Sequence, residues 1–160
     1  MSTIQPINNK EFLKRTIKIV EDYKGELEVT LFINACVGLL FIGTEKYKRE
    51  LKSLSDSTLD SINSTNAIKI CRRYKKKQTQ FEEEDRTLLN VCRHLRNSIA
   101  HCNFEMKKGN HNKVDTITFQ DFYGPVGPKD KKDKITFFAE IKMSDFRCLV
   151  NRIASFISNI

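Results

Sequence analysis

The sequence predicts a mainly α fold, a helical bundle with a small β-hairpin inserted before the C-terminal helix. Three observations lead to this fold class. Apolar residues recur at helical spacing along much of the chain, most clearly between Phe81 and Cys102. The pattern then changes to the alternation typical of strands, and helical spacing returns from Ser144 onwards. We expect one domain over residues 1–160, with the hairpin insertion at about 104–143.

The first part of the chain is predicted to be helical. Its elements are a helix capped by Asn8 or Asn9 and broken by Gly25, an apolar helix over Glu26–Ile42 that ends at Gly43–Thr44, a short charged helix over Glu45–Leu54, and a small helix that starts at Ser57. The second of these is apolar on nearly every side, which is typical of a core element. Its most apolar stretch, Val29–Ile42, has 14 residues, whereas a membrane span needs about 20. We therefore expect a buried helix and no membrane anchor.

The clearest helix of the chain is Phe81–Cys102, whose acidic first turn suits the positive end of the helix dipole. Apolar residues on one side form a core stripe of Leu88, Val91, Cys92, Leu95, Ile99 and Cys102. The alternation that follows predicts two strands, Val114–Phe119 and Ile135–Ile141, and Phe104–Lys107 is a candidate third. A closing helix starts at Ser144–Asp145.

The chain is strongly basic. It contains 28 Lys and Arg against 20 Asp and Glu, which gives a formal net charge of +8. A charge of this sign favours polyanionic partners, RNA among them, through long-range attraction. Charge alone leaves a basic protein with no nucleic-acid role equally open.

The five cysteines are Cys36, Cys71, Cys92, Cys102 and Cys148. No two are spaced as Cys-x-x-Cys, so the sequence predicts neither a zinc site nor a disulfide framework. Three histidines without clustered carboxylates also argue against a metal site, and we expect no cofactor. Free thiols, together with an N-terminal segment that lacks the apolar core of a secretory signal, predict a cytoplasmic protein.

A compact group of polar residues lies near the end of the central helix. A helix turns by about 100° per residue, so Arg93, Asn97 and His101 lie opposite the core stripe. Asn97 and His101 are one turn apart, which would let the amide orient the imidazole. Arg96 lies roughly 140° from His101 around the helix, and a twofold dimer would bring the two side chains together. The alternative is an ordinary solvated helix face.

Convergence of these groups would provide the chemistry of RNA cleavage. Histidine titrates near neutrality, so His101 would exchange a proton with a ribose 2′-hydroxyl or a leaving oxygen. Arg96 would bind the phosphate oxygens and stabilise the charge of the transition state. The reaction needs no metal, and its use of a 2′-hydroxyl makes it specific for RNA. His94 and His111 are interpreted as structural.

A basic stretch offers a candidate RNA contact. Five cations surround Tyr74, whose ring is suited to base stacking: Arg72, Arg73, Lys75, Lys76 and Lys77. We assign RNA binding to these five residues and to Arg93. The alternative for the stretch is a solvated basic loop, because charge runs are usually exposed connections.

The residues of the central helix resemble the signature of a known superfamily. Arg96-Asn97-Ser98-Ile99-Ala100-His101 is similar to the R-x4-6-H motif of the HEPN superfamily, in the form with Asn after the Arg. The motif also lies near the end of a long helix, as it does in that superfamily. The apolar segment Phe32–Ile42, followed by Glu45-Lys46-Tyr47, resembles a small stand-alone HEPN subfamily of prokaryotes. The resemblance covers most of the chain, although the hexapeptide carries most of its specificity.

The resemblance implies a HEPN-type helical bundle, usually a homodimer in which the motif helices meet across the twofold axis. Many members are metal-independent endoribonucleases of toxin–antitoxin, abortive-infection or CRISPR-associated antiviral defence, so an antitoxin or another defence protein is an implied partner. Arg96 and His101 would be catalytic, with Asn97 as the polar helper. Some HEPN domains are inactive, and the alternative is a silent module that binds RNA or a partner protein. A DNA-binding regulator is a third, weaker alternative, because no helix-turn-helix signature stands out. The hairpin is not part of the minimal bundle.

Overall fold

The structure, a computed structural model, describes residues 9–22, 28–53, 68–70, 87–109, 113–122 and 135–159. Its elements are, in chain order, α1 (Asn9–Asp22), α2 (Glu28–Lys46), α3 (Lys48–Ser53), β1 (Ile68–Ile70), α4 (Leu88–Ala100), β2 (Phe104–Lys108), β3 (Val114–Phe122), β4 (Ile135–Lys142) and α5 (Met143–Asn159). The mainly α class is confirmed for the described residues. The cap at Asn8 or Asn9, the predicted helix at Ser57 and the basic stretch Arg72–Lys77 are not covered by these ranges, apart from Asn9 as the first residue of α1.

The prediction of a simple β-hairpin is wrong in its extent. The strands form a four-stranded antiparallel sheet in the order β1-β4-β3-β2. The two predicted strands are its centre. The candidate third strand forms one edge, with Phe104 opposite Phe119, and the unpredicted β1 forms the other, with Ile68 opposite Ala139. Two strands alone are marginally stable in water, and the added edges extend the sheet that the helices cover.

One face of the sheet is covered by helices. α4 packs on β3, α5 packs on β3 and β4, α2 contacts both of these helices, and α1 lies against α2 and α5. Phe146 of α5 joins the layers, because its ring centroid is 5.0 Å from that of Phe119 in the sheet and 5.5 Å from that of Phe32 in α2. Phe119, Phe146 and Leu95 are fully buried, so the core lies between the sheet and the helices.

The predicted end of the second helix at Gly43–Thr44 is wrong, because α2 continues to Lys46. The hydroxyl of Thr44 donates to the carbonyl oxygen of Leu40 at 2.9 Å, a bond that a Thr inside a helix can make without breaking the helix. Leu40 is fully buried. Packing of this kind outweighs the cost of about 1 kcal/mol for a glycine inside a helix, and it brings Thr44 and Glu45 onto α2 rather than into a loop.

Both ends of α4 differ from the predicted Phe81–Cys102. The helix begins at Leu88, because Thr87 has extended backbone angles (φ −84°, ψ 150°) and its side chain accepts a hydrogen bond from the Asn90 N–H. Residues 81–86 lie outside the described ranges. The helix ends at Ala100, so Cys102, which was predicted to lie in the core stripe, is exposed. The remainder of the stripe is buried as predicted.

α2 is long and apolar enough over Val29–Lys46 to pass a membrane-span test of length and composition. Its most buried side chains lie in the core shared with α4 and α5: Phe32, Ile33, Cys36, Leu39 and Leu40. A core helix of a globular domain passes the same test. The packing therefore supports the prediction of a buried helix.

Candidate functional site

Arg96 is held between α4 and α2. Its Nη1 donates to Glu45 Oε1 at 2.7 Å and to Thr44 Oγ1 at 3.2 Å. Its Nε and Nη2 donate to Asn97 Oδ1 at 3.3 Å and 3.1 Å. A guanidinium carries five N–H groups, so one Nη2 hydrogen has no acceptor among the described residues. With its side chain 21% exposed, Arg96 is fixed in place and still offers a donor to an incoming anion.

Asn97 links Arg96 to the sheet. It is half-buried, and its Nδ2 donates to Asp121 Oδ2 at 3.0 Å while its Oδ1 accepts from Arg96. The expectation that Asn97 lies on a solvated face and orients His101 is wrong, because both ends of the amide are used by Arg96 and Asp121. A helper role for Asn97 remains a prediction, now through the guanidinium rather than the imidazole.

Asp121 reaches the site because of its phase on β3. Ile117, Phe119 and Asp121 alternate with outward residues, so all three point to the face that α4 covers. The register shifts between Asp121 and Phe122, and a bulge of this kind re-aims the side chains beside it. The side chain of Asp121 is only 9% exposed. Strand β3 therefore places the carboxylate of Asp121 against the sheet-facing side of α4.

The buried carboxylate of Asp121 is ionised. Burial alone would raise its pKa, but hydrogen bonds from His94 and Asn97, electrostatic attraction to His94 and the backbone N–H of Phe122 together hold the pKa below its usual value. The Phe122 N–H lies 2.9 Å from Oδ1, while His94 and Asn97 both bond Oδ2. Three donors thus compensate for the loss of water around the carboxylate.

His94 rests on the sheet. Its Nδ1 is 2.8 Å from Asp121 Oδ2, and its ring stacks on Phe137 with centroids 5.0 Å apart and planes 7° apart. Phe137 is the direct cross-strand partner of Asp121. Because an ionised carboxylate only accepts hydrogen bonds, Nδ1 of His94 carries a hydrogen. His94, interpreted from the sequence as structural, is therefore joined to Asn97 by one shared oxygen.

His101 lies at the end of α4 and is exposed. The chain leaves the helix through a Schellman motif: the Cys102 N–H bonds the Ile99 carbonyl, and the Asn103 N–H bonds the Ser98 carbonyl. Cys102 adopts a left-handed φ of 53°, which this motif requires. Within the described part of the chain, the imidazole of His101 makes no hydrogen bond or ion pair. One chain alone does not bring His101 and Arg96 into a shared contact, as their angular separation predicts.

Six residues form a continuous hydrogen-bonded cluster, which we call the Arg96 network: Thr44, Glu45, His94, Arg96, Asn97 and Asp121. Sequence reasoning identified only Arg96 and Asn97 as functional. A signal for Asp121 was present, since it stands in phase with the core residues Ile117 and Phe119. Arg93, predicted to bind RNA, is exposed on α4, whereas the other predicted RNA contacts, Arg72, Arg73, Lys75, Lys76 and Lys77, lie outside the described residues.

The described residues include no group of three or more His, Cys, Asp or Glu side chains arranged to hold a metal ion. Their cysteines are unpaired thiols. Cys36 and Cys92 are buried, and burial raises the pKa of Cys92 to about 12. A thiol with so high a pKa is a poor nucleophile at neutral pH. The polar chemistry of the described structure is therefore concentrated at α4.

Comparison with known proteins assigns the family. No curated protein and no solved structure matches the chain. A family model described as HEPN pEK499 p136 matches residues 1–160, the full length of the sequence. This agrees with the Arg96–His101 motif on α4. The chain therefore belongs to the HEPN pEK499 p136 family, within the HEPN superfamily.

Proposed function

We propose that this HEPN protein is a metal-independent endoribonuclease that cleaves RNA by attack of a 2′-hydroxyl on the adjacent phosphate. One observation carries the proposal. The Arg96 guanidinium is held in place by Asn97 and Thr44, is partly exposed, and keeps an Nη2 hydrogen free among the described residues. A fixed guanidinium with a free donor is suited to bind a phosphate and the charge that develops on it.

The chemistry follows from the groups of the motif. A base removes the proton of the ribose 2′-hydroxyl, the 2′-oxygen forms a bond to phosphorus, and the 5′-oxygen leaves with a proton. The products are a 2′,3′-cyclic phosphate and a 5′-hydroxyl. Arg96 neutralises the phosphate oxygens, while the imidazole of His101 transfers a proton near neutral pH.

The site needs a second copy of the chain. Arg96 bonds Thr44 and Glu45 of α2, whereas His101 is exposed at the end of the helix without a partner in the described structure. In the proposed homodimer His101 of one protomer stands beside Arg96 of the other. Phe41, which lies one turn before Glu45 on α2 and is 54% exposed, supplies an apolar contact near this site.

One observation favours a second candidate, a catalytically inactive HEPN module that binds RNA or a partner protein. Glu45 pairs with Nη1 of Arg96 at 2.7 Å and occupies a donor that a phosphate could use. An enzyme that binds phosphate through Nη1 has to displace this carboxylate, whereas an inactive module keeps it. Family membership and the basic charge support the ribonuclease. A cytoplasmic role in toxin–antitoxin or antiviral defence, with a protein partner that restrains the enzyme, belongs to the proposal and rests on the resemblance of the motif alone.

The first test is cleavage of labelled single-stranded RNA and structured cellular RNA in EDTA. Wild type is compared with Arg96→Ala and His101→Ala, and Arg49→Ala, an exposed cation on α3, is the matched control. We expect cyclic-phosphate ends from wild type and the control and none from the two site variants. Intact RNA with wild type, bound with strong salt dependence, would favour the inactive module.

A mixing experiment tests the dimer. Arg96→Ala and His101→Ala proteins, each inactive, are unfolded together and refolded. If each site combines Arg96 and His101 from different protomers, about half of the dimers are mixed and each has one intact site, which restores about a quarter of wild-type activity. No recovery, with exchange of protomers verified, would contradict a site shared between protomers.

A further inference from the structure

Asp121 lies outside the HEPN motif. In the described structure, its carboxylate accepts the hydrogen bond that joins the motif residue Asn97 to the sheet. We propose that Asp121 is a positioning residue that sets the orientation of the Asn97 amide and, through it, the Arg96 guanidinium. The role in catalysis rests on the proposed function, whereas the effect on Arg96 does not.

Donor and acceptor chemistry determines how the hydrogen bonds run from Asp121 through Asn97 to Arg96. The ionised carboxylate of Asp121 can only accept, so the Asn97 amide turns its Nδ2 towards it. That orientation leaves Asn97 Oδ1 towards Arg96, where it accepts from both Nε and Nη2. With the amide reversed, the Nδ2 donor would face the donors of the guanidinium, and neither bond could form. The carboxylate of Asp121 therefore decides whether Asn97 can accept hydrogen bonds from Arg96.

The cost of burying this carboxylate is evidence that its polarity matters. Asp121 follows Ile117 and Phe119 in the core-facing row of β3 and is 9% exposed. A buried charge is costly, and a well-packed apolar residue at such a position is often as stable or more stable. Packing alone gives no reason for Asp here. Its three donors, from Phe122, His94 and Asn97, come from the strand and from α4, so the carboxylate ties the motif helix to the sheet.

His94 holds the carboxylate in place from the side opposite Phe122. Its Nδ1 bonds the same Oδ2 that accepts from Asn97, and Phe137 supports the imidazole from below. The bulge at Asp121–Phe122 places the backbone N–H of Phe122 on Oδ1. With one oxygen bound by the backbone and the other by His94, the carboxylate presents a fixed acceptor to Asn97.

Asp121→Asn keeps the shape of the side chain but replaces one oxygen acceptor by an NH2 donor. The new amide oxygen remains with the Phe122 N–H, and its NH2 group faces His94 and Asn97. His94 can adapt by moving its hydrogen to Nε2, but Asn97 must turn its oxygen towards residue 121. Arg96 then faces Asn97 Nδ2 and loses both bonds. Adding Asn97→Asp restores the match, since a carboxylate at 97 accepts from the new amide and from Arg96.

The experiment compares wild type, Asp121→Asn, the double variant Asn97→Asp/Asp121→Asn, and Asp115→Asn. Asp115 is an exposed residue of the same strand and controls for the lost charge. The first readout is the Nε–Hε signal of Arg96 in 15N NMR, assigned by its loss in Arg96→Ala. We expect the signal to shift or broaden in Asp121→Asn, to return in the double variant, and to stay unchanged in Asp115→Asn.

The second readout is RNA cleavage. Misplacing a positioned group can cost about 100-fold in rate, so we expect Asp121→Asn to lower kcat by about 10- to 100-fold, with a smaller change in KM. The double variant should recover about tenfold of that loss. A structural role alone predicts no such recovery.

Several outcomes would overturn the proposal. An unchanged Arg96 signal in Asp121→Asn would do so, as would a changed signal that the double variant fails to restore. If Asp121→Asn does not fold, the double variant decides: folded with a wild-type-like signal it supports the proposal, and unfolded it contradicts it. An inactive wild type would refute the proposed function, while the NMR signal would still decide the role of Asp121.

Discussion

The two ends of the HEPN motif are built in opposite ways. Arg96 is the centre of a network that joins α2, α4 and β3, with partners on both sides of its guanidinium. His101, five positions later, is exposed and makes no side-chain hydrogen bond within the described structure. A single chain therefore positions the side chain of Arg96, whereas it leaves His101 exposed, where another surface can contact it.

Under the proposed function, this difference assigns the two roles of the motif to one chain and to a pair of chains. A phosphate-binding group gains from being positioned before the substrate arrives, because binding energy is then not spent on ordering a flexible side chain. A proton-transfer group needs only to be correctly placed in the assembled site. The Arg96 network supplies the first within one chain, and the proposed homodimer supplies the second.

The sharpest test of the contrast is His101→Ala. Loss of a general acid or base lowers the rate by about 100- to 10,000-fold, so cleavage should nearly vanish. The melting temperature should stay at the wild-type value, because the exposed imidazole makes no hydrogen bond in the described structure. Calorimetry and the cleavage assay measure the two effects. His94→Ala is the paired control and should lower the melting temperature, and a comparable fall in His101→Ala would break the comparison.

The second test removes the acceptor of the network. Asp121→Ala leaves the Phe122 N–H, the His94 Nδ1–H and the Asn97 amide without their buried partner. We expect the free energy of unfolding to fall by about 3 kcal/mol. Urea denaturation measures the change, with Asp115→Ala, at an exposed residue of the same strand, as the control. Equal stability of the two variants would mean that the Arg96 network does not hold the sheet to α4.

The third test uses acid. The pKa of Asp121 in the folded state is below the unfolded value of 3.8, so the folded protein binds this proton more weakly than the unfolded chain. The stability that Asp121 contributes is complete above the unfolded value and is lost as the pH falls through the folded value. Asp121→Asn should therefore show a shallower loss of stability than wild type as the pH falls below about 5. Parallel slopes would contradict an ionised Asp121.

The comparison also shows what the sequence can predict of the fold. Helix α4, strands β3 and β4 and the closing helix were predicted, because periodic apolar residues mark which side of an element faces the core. The continuation of α2 past Gly43 was missed, since local helix propensity disfavours glycine and only packing with the rest of the fold reverses that preference. Strand β1 was missed because three residues are too few to show a period, and its pairing with β4 is a long-range contact.

The same contrast between local pattern and long-range contact applies to the site. Arg96, Asn97 and His101 could be identified because they form a local motif on one helix. Glu45 and Asp121 could not be assigned to Arg96 or Asn97, because 51 residues separate Glu45 from Arg96 and 24 separate Asn97 from Asp121. Helical geometry correctly separates Arg96 from His101. It also predicts that Asn97 lies in solvent, which is wrong, because geometry on one helix does not show that a strand supplies an acceptor beneath it.

The smallest expected effect concerns Glu45, the exposed partner of Arg96. Its side chain is 57% exposed, and exposed ion pairs contribute about 0 to 1 kcal/mol, so Glu45→Gln should barely change the melting temperature. RNA binding should tighten, by up to about fivefold, because a phosphate no longer competes with a carboxylate for Nη1 of Arg96.

Fluorescence anisotropy measures this gain in affinity with RNA carrying a 2′-deoxy substitution that prevents cleavage. Glu105→Gln, at an exposed residue of β2 outside the Arg96 network, removes the same charge and controls for the general gain in attraction. If the two variants gain equally, the Glu45–Arg96 pair is a surface contact that RNA does not displace, and phosphate binding at Arg96 proceeds through the free Nη2 hydrogen alone.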